Sequence, residues 1–216
     1  MPTHVGSDEA GKGPVLGPMV AAAVRVDPDD LPAAVDDSKR LTPERRAELA
    51  AEIRAATDAV GVGVVSTARI DAPETDMNGL TVAAHVEAVA AVARDGDPVY
   101  ADAGDVSESR FARRVAGGAD ERGVSVDVRA EHGADGTYPI VAAASIVAKV
   151  ERDRRVEELR AEYGDVGSGY PSDPTTRTFL REYVREHGRL PACARASWKT
   201  CDDVLRAAEQ SALDDF

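Results

Sequence analysis

The sequence predicts an α/β fold, a mixed β-sheet covered by helices with a helical C-terminal region, and three observations carry that expectation. Two apolar, strand-like runs open the chain, helical and strand-like segments alternate through its middle, and its last third has helical spacing or loop character. Residues 3–8 and 16–26 read as strands flanking a glycine-rich bend, with Pro14 and Pro18 limiting how the second one starts. Thr42 and Pro43 then supply an N-cap and a first-turn proline for an amphipathic helix through E-R-R-A-E-L-A-A-E-I-R. Residues 60–66 form the next expected strand, and residues 78–94 carry apolar positions at helical spacing until D-G-D-P stops them before a short strand at 99–102. A helix over 107–115 follows, and then Val124, Val126 and Val128 alternate with polar residues as in a half-buried strand. The longest helix is expected over 138–163, with Pro139 near its start and an alanine-rich first half that permits close approach to a sheet. The loop G-D-V-G-S-G-Y-P-S-D-P precedes a helix over 175–187, and the remainder reads as helical or irregular.

Composition narrows the possible functions. No stretch approaches the roughly 18 uninterrupted apolar residues of a membrane span, and the N-terminus lacks a secretory pattern, so a soluble, cytoplasmic protein is expected. Cys193 and Cys201 lack a metal-type partner pair, and neither disulfide nor zinc is favoured. With 39 acidic and 26 basic residues the formal net charge is −13, a surface that ordinarily repels nucleic acid. Either the protein has no anionic partner, or its surface is acidic because high salt screens it and strong hydration keeps it dissolved. Lysine usage favours the second reading, since only four of the basic residues are lysine, leaving 22 arginines. Lys12, Lys39, Lys149 and Lys199 stand in G-K-G, D-S-K-R-L, I-V-A-K and S-W-K-T, where compact point charges are suited to phosphate. A salt-adapted surface should give a thermal midpoint that rises with KCl toward molar concentration. A midpoint highest in dilute buffer and falling steadily with KCl would refute the salt argument.

The sequence offers no nucleophilic triad: its four histidines are scattered and it has no G-x-S-x-G. Acid residues must carry any chemistry. Asp8 and Glu9 end an apolar strand and run straight into Gly11 and Gly13. Regular alternation sends adjacent side chains to opposite faces, so a shared metal site requires the strand to end or distort there, which the glycines permit.

Six segments occur in a fixed order over residues 3–200: D-E-A-G-K-G-P, D-S-K-R-L, Y-A-D-A, A-D-G-T-Y-P-I-V-A-A-A-S-I-V-A-K-V-E-R-D, G-S-G-Y-P-S-D-P-T-T and S-W-K-T. In this the chain resembles the type 2 ribonucleases H, in their archaeal and eukaryotic branch. The resemblance implies a ribonuclease H-like mixed sheet flanked by helices, with a catalytic domain over 1–165 and a helical region over 166–216 that completes the substrate site. It also implies an endoribonuclease that cuts the RNA strand of RNA/DNA hybrids, and ribonucleotides embedded in duplex DNA, on the 5′ side of a ribonucleotide. By the same resemblance the metal-binding and catalytic carboxylates are Asp8, Glu9, Asp102 and Asp135. Asp102 ends a short apolar strand and Asp135 precedes the longest helix, with Asp105 and Asp127 as the nearest rivals. Four carboxylates make a hard-oxygen site suited to two Mg²⁺ or Mn²⁺ ions rather than zinc.

For the substrate, Gly11 and Gly13 flank Lys12 and, lacking a Cβ, let backbone groups approach the ribose 2′-hydroxyl that distinguishes RNA from DNA, and the resemblance places Tyr170 near that hydroxyl. Lys12 stands where the family usually has arginine, which keeps the charge but loses the planar fork. Lys39 and Lys199 are phosphate-binding candidates, with Ser38 and Thr200 as hydrogen-bond donors. Trp198 is expected in the core, and Ser145, Lys149 and Asp153 recur on one helix face. Gln210, Leu213 and Phe216 have the spacing of a peptide that docks on the sliding clamp PCNA. A monomer is expected. Two rival functions are a resolvase-like nuclease of the same fold without ribose selection, and a catalytically silent nucleic-acid-binding module.

Overall fold

The computed structural model describes residues 3–35 and 41–214, with side chains through residue 210. Strands β1 (His4–Ala10), β2 (Met19–Val26), β3 (Ala59–Val65), β4 (Pro98–Asp102) and β5 (Asp127–Glu131) form one sheet in the order β3-β2-β1-β4-β5. β1 runs antiparallel to β2 and parallel to β4, and β4 runs parallel to β5, so the sheet is mixed as expected. The helices are α1 (Pro43–Ala56), α2 (Thr67–Ile70), α3 (Met77–Ala90), α4 (Glu108–Asp120), α5 (Pro139–Tyr163), α6 (Pro174–His187) and α7 (Lys199–Asp214). Thr42 caps α1 by accepting from the Arg45 N–H, with Pro43 in its first turn.

Contacts divide the chain into two compact units: residues 1–12, 19–64 and 76–152, and residues 13–18, 65–75 and 153–216. In the first unit β2 is buried along its whole length because both its faces are covered. Ala22, Val24 and Val26 join Leu49 and Ile53 of α1 and Ile140, Ala144 and Ile146 of α5 in one apolar cluster. Residues of the opposite parity face α3, where Met19 meets Thr81. α3 lies against β1 and β2, and α4 against α3 and β5. The small side chains in V-A-A-A-S-I-V-A let α5 approach the sheet closely.

The second unit gathers Val15, Leu16, Val156, Val166, Leu180, Val184, Cys193 and Cys201 around the far half of α5, α6 and α7. Burial pushes the Cys193 thiol up to about 12 and the Cys201 thiol up to about 11, so both remain inert thiols, as their apolar surroundings require. Among the described residues no helix is long and apolar enough to cross a membrane.

Two strand expectations shift. β2 begins at Met19 rather than residue 16, because Gly17 takes φ +78° and Pro18 follows it, while Leu16 bridges Ala194 within the second unit. β5 begins at Asp127, since Gly123 takes φ +84°, the Val124 N–H returns to the Ala119 carbonyl, and Ser125 is bound to Asp95 and Gly96. The hydrogen bonds of Val124 to the α4 exit and of Ser125 to Asp95 and Gly96 outrank the alternation of Val124 and Val126.

Candidate active site

The carboxyl ends of parallel strands lie at the rim of an open α/β sheet where ligands usually bind. Here β1 and β4 end side by side: Ser7 pairs with Ala101, and the next residues are Asp8 and Asp102. Alternation holds through β1, with Asp8 opposite Ala22 and Glu9 opposite Ala21, so the two side chains leave opposite faces. The strand neither ends at Asp8, as its sequence leads one to expect, nor distorts at Asp8 and Glu9. The strand runs on through Ala10, and the turn falls at Gly11, whose φ of +84° suits glycine.

Each carboxylate has its own support. On one face Asp8 accepts a hydrogen bond from the Ser145 hydroxyl of α5, and Ser145 in turn accepts one from Lys149 Nζ at 2.8 Å. On the other, Glu9 Oε2 lies 2.9 Å from His85 Nε2 of α3. Asp102 Oδ1 accepts the Gly133 N–H at 3.0 Å. Gly133 leads directly into the 3-10 turn Ala134–Gly136, which carries the half-buried Asp135. The Lys12 ammonium donates to the Gly104 carbonyl just beyond Asp102. A Cβ at Gly104 would stand 2.4 Å from Thr81 Cγ2 and 3.1 Å from Glu9 Oε1, so only glycine lets this loop close over Glu9.

The electrostatics join the four acids. Burial pushes the Asp8 carboxyl well above the usual carboxylate range, and the neighbouring charges of Glu9 and Asp102 push the same way. Burial also raises Asp102, with Gly133 opposing and Glu9 and Asp135 adding to the rise. Burial would raise Glu9 too, but the hydrogen bond and charge of His85, with Lys12, hold it below its ordinary value. Among the described residues no three acidic, histidine or cysteine side chains already close around one point as ligands of an ion. The fit of a divalent cation rests instead on the donor set: hard carboxylate oxygens, partly or wholly buried, that repel one another.

Of the rival acids, Asp105 has other employment. Arg110 clasps Asp105 with Nε–Oδ2 at 2.8 Å and holds its carboxyl down to about 2, while His132 Nε2 lies 2.8 Å from the Asp105 carbonyl. This fastens the loop after β4. Asp127 is exposed at the start of β5.

The expected substrate residues fall in several places. Gly11 and Lys12 belong to the first unit, Gly13 and Tyr170 to the second. Within the second unit, a Cβ at Gly13 would lie 3.8 Å from Tyr170 Cε1, and the tyrosine is 41% exposed rather than packed beneath its loop. The Val15 and Leu16 N–H groups bind the Gly169 carbonyl, and Asp173 accepts from Ser168 N and Oγ, so the two loop segments are held together. Trp198 packs half-buried against the apolar cluster of the second unit, in line with the expectation of a core role; its Nε1 donates to the Gly13 carbonyl at 3.3 Å, and the guanidinium of buried Arg195 lies 4.9 Å from its ring centre. Lys199 is exposed in the first turn of α7 and pairs with Asp203 at 2.9 Å, beside half-buried Thr200. Ser38, Lys39 and Phe216 lie outside the described residues, as does the side chain of Leu213; Gln210 is exposed near the end of α7.

Sequence reasoning passed over His85. The available signal was a histidine four residues after Thr81 within the apolar stripe of α3, a buried position where an imidazole must find polar partners. Ser145 and Lys149 were legible as a shared helix face, but their partner Asp8, far away in sequence, was not.

The sequence model of the Ribonuclease HII family matches residues 5–201. A Ribonuclease HII of the halophilic archaeon Haloarcula marismortui is 65% identical over 211 residues, covering 98% of this chain and 99% of the relative. The crystal structure of ribonuclease H2 from Pyrococcus horikoshii superposes with a TM-score of 0.88 at 37% identity, covering 96% of this chain and 99% of that one. The structure of the PCNA:RNase HII complex from Archaeoglobus fulgidus contains a chain with a TM-score of 0.82 at 41% identity, covering 91% of this chain and 95% of that one.

Proposed function

Since the chain belongs to the ribonuclease HII family, metal-dependent endonucleases that hydrolyse the RNA strand of RNA/DNA hybrids, we propose that Asp8, Glu9, Asp102 and Asp135 hold its catalytic ions. The observation that carries this reading is the electrostatic linkage of Asp8, Glu9 and Asp102, at the ends of β1 and β4, with Asp135 in the turn after β5. Bound Mg²⁺ or Mn²⁺ supplies Lewis-acid activation of a water and neutralises charge developing at the scissile phosphate. The protein's part is to hold the acids: Ser145 and Lys149 support Asp8, and the Gly133 N–H supports Asp102.

Ribose selection falls to Gly11, Lys12 and Gly13, whose missing Cβ atoms at 11 and 13 let the backbone approach a 2′-hydroxyl, together with Tyr170. Lys39 and Lys199, with Ser38 and Thr200, serve the phosphates. In this reading the region after residue 165 completes the substrate site of the domain that bears the carboxylates, and the enzyme works as a cytoplasmic monomer. The test is a labelled DNA duplex containing one ribonucleotide, incubated in high KCl with Mn²⁺ or Mg²⁺. The expected product is a nick 5′ to the ribonucleotide, with 3′-hydroxyl and 5′-phosphate ends and all-DNA duplex left intact. Equal cutting of all-DNA would point to the resolvase-like rival. Bound substrate without product, on this duplex and on a longer hybrid, would point to the silent module.

The A. fulgidus RNase HII was captured with PCNA, and the spacing of Gln210, Leu213 and Phe216 marks the segment of this chain that would dock on such a clamp. Deleting residues 210–216 should abolish clamp binding by surface plasmon resonance while leaving cleavage of a short hybrid at the wild-type rate. Unchanged clamp affinity would end the proposal for this segment.

A further inference from the structure

We infer that His85 is a positioning residue for hydrolysis, donating from Nε2 to Glu9 Oε2 and thereby reserving Oε1 for a cation. The ring is fully buried, with Nδ1 2.8 Å from Ser7 Oγ, Nε2 2.9 Å from Glu9 Oε2, and Phe111 packed edge-on with ring centres 5.0 Å apart. Proton accounting identifies the donor. Ser7 Oγ also lies 3.1 Å from the Ala22 carbonyl, and the hydroxyl has one proton to give. An ionised carboxylate can only accept, so the proton shared by His85 and Glu9 sits on Nε2, whichever partner the Ser7 hydroxyl serves. Helix α3, strand β1 and the edge of Phe111 therefore fix the direction of one carboxylate oxygen, while Gly104 leaves space beside the other. The buried imidazole needs a polar partner at each nitrogen, and the one at Nε2 is a carboxylate of the proposed metal set. Partners of this outer kind commonly change metal affinity or activity by about 10–100-fold when removed.

The inference rests on the reading of Glu9 as a ligand, so the experiment includes that residue. Mn²⁺ binding is titrated calorimetrically in molar KCl for wild type, His85→Leu, His85→Gln, Ser7→Ala and Glu9→Gln, with a thermal melt of each as the folding check. His85→Leu fills most of the space without a donor and should bind Mn²⁺ about 10–100-fold more weakly. His85→Gln, whose amide can still donate to Glu9, should recover most of that loss. Should His85→Leu not fold, Ser7→Ala keeps the ring but removes its anchor, and should weaken Mn²⁺ binding by a smaller, measurable factor. Wild-type Mn²⁺ affinity in folded His85→Leu, or in Ser7→Ala where His85→Leu is unfolded, overturns the inference, as does His85→Gln binding as weakly as folded His85→Leu. If Glu9→Gln itself binds Mn²⁺ as wild type does, the ligand assignment fails first and the inference with it.

Discussion

Asp8→Asn should cleave the ribonucleotide-containing duplex on the order of a thousandfold more slowly than wild type, because several kcal/mol of metal-derived stabilisation at 1.36 kcal/mol per tenfold depends on a full charge at that position. Stability should move the other way. The Asp8 carboxyl is raised by burial and by its acidic neighbours, so in the metal-free protein its ionisation opposes folding. A folded-state value above the unfolded one means that this cost is absent at low pH and grows as pH rises past the unfolded value. The amide stays neutral, and the metal-free variant should melt no lower than wild type at pH 7. Mn²⁺ should then raise the wild-type midpoint by mass action and leave that of the variant nearly unmoved. A structural acid has the opposite signature. Asp105, held down to about 2 by Arg110, contributes stability that is present above the ordinary carboxylate range and lost as pH falls through about 2. If Asp8→Asn lowers the metal-free midpoint while retaining the Mn²⁺ shift and near-normal cleavage, Asp8 belongs with Asp105 and the proposed site is wrong.

Local rules reached far in this chain. The cap at Thr42, the proline starts of α1 and α5, and the small-residue face of α5 each follow from a few neighbouring residues, and each element forms where those residues place it. The misplacements have non-local causes. Leu16 is apolar and looks like strand, yet it pairs with Ala194, a partner nearly the whole chain away. Val124 and Val126 alternate as a strand should, but the Val124 N–H closes the turn leaving α4 and Ser125 between them is held by Asp95 and Gly96, about thirty residues earlier.

The site shows the same division. Asp102 stands visibly at the end of an apolar run, and Asp135 enters the long helix, but nothing local relates them. That relation comes from the parallel pairing of β1, β4 and β5 and from the Gly133 N–H. Adjacent Asp8 and Glu9 posed an apparent contradiction in sequence, since alternation separates them. The fold keeps them on opposite faces of an undistorted strand that ends one residue later, gives each face its own supporting helix, and leaves their charges close enough to act on one another.

The close seating of α5 on β1 leads to the second large effect, at Gly6. This residue lies inside β1, paired with Val24 on one side and Tyr100 on the other, so β1 cannot shift without disturbing two strands. A Cβ built there would stand 2.2 Å from the Ile140 carbonyl oxygen, 2.4 Å from its carbon and 2.8 Å from the Val141 nitrogen. These are backbone atoms of the first turn of α5, with no flexible side chain to swing aside. Overpacking in a core costs about 1–3 kcal/mol and occasionally more, and a backbone obstacle puts Gly6→Ala at the upper end. Reduced freedom of the unfolded chain returns only about 0.4–1 kcal/mol, leaving a net loss of about 2 kcal/mol or more. Urea unfolding in molar KCl should show a lower midpoint with an unchanged slope. The residual folded enzyme should also cleave more slowly, because lifting Ile140 carries Ser145 and Lys149 of the same helix away from Asp8. A wild-type midpoint would mean that α5 does not sit on β1 at this distance, and the support assigned to Ser145 would lose its structural basis.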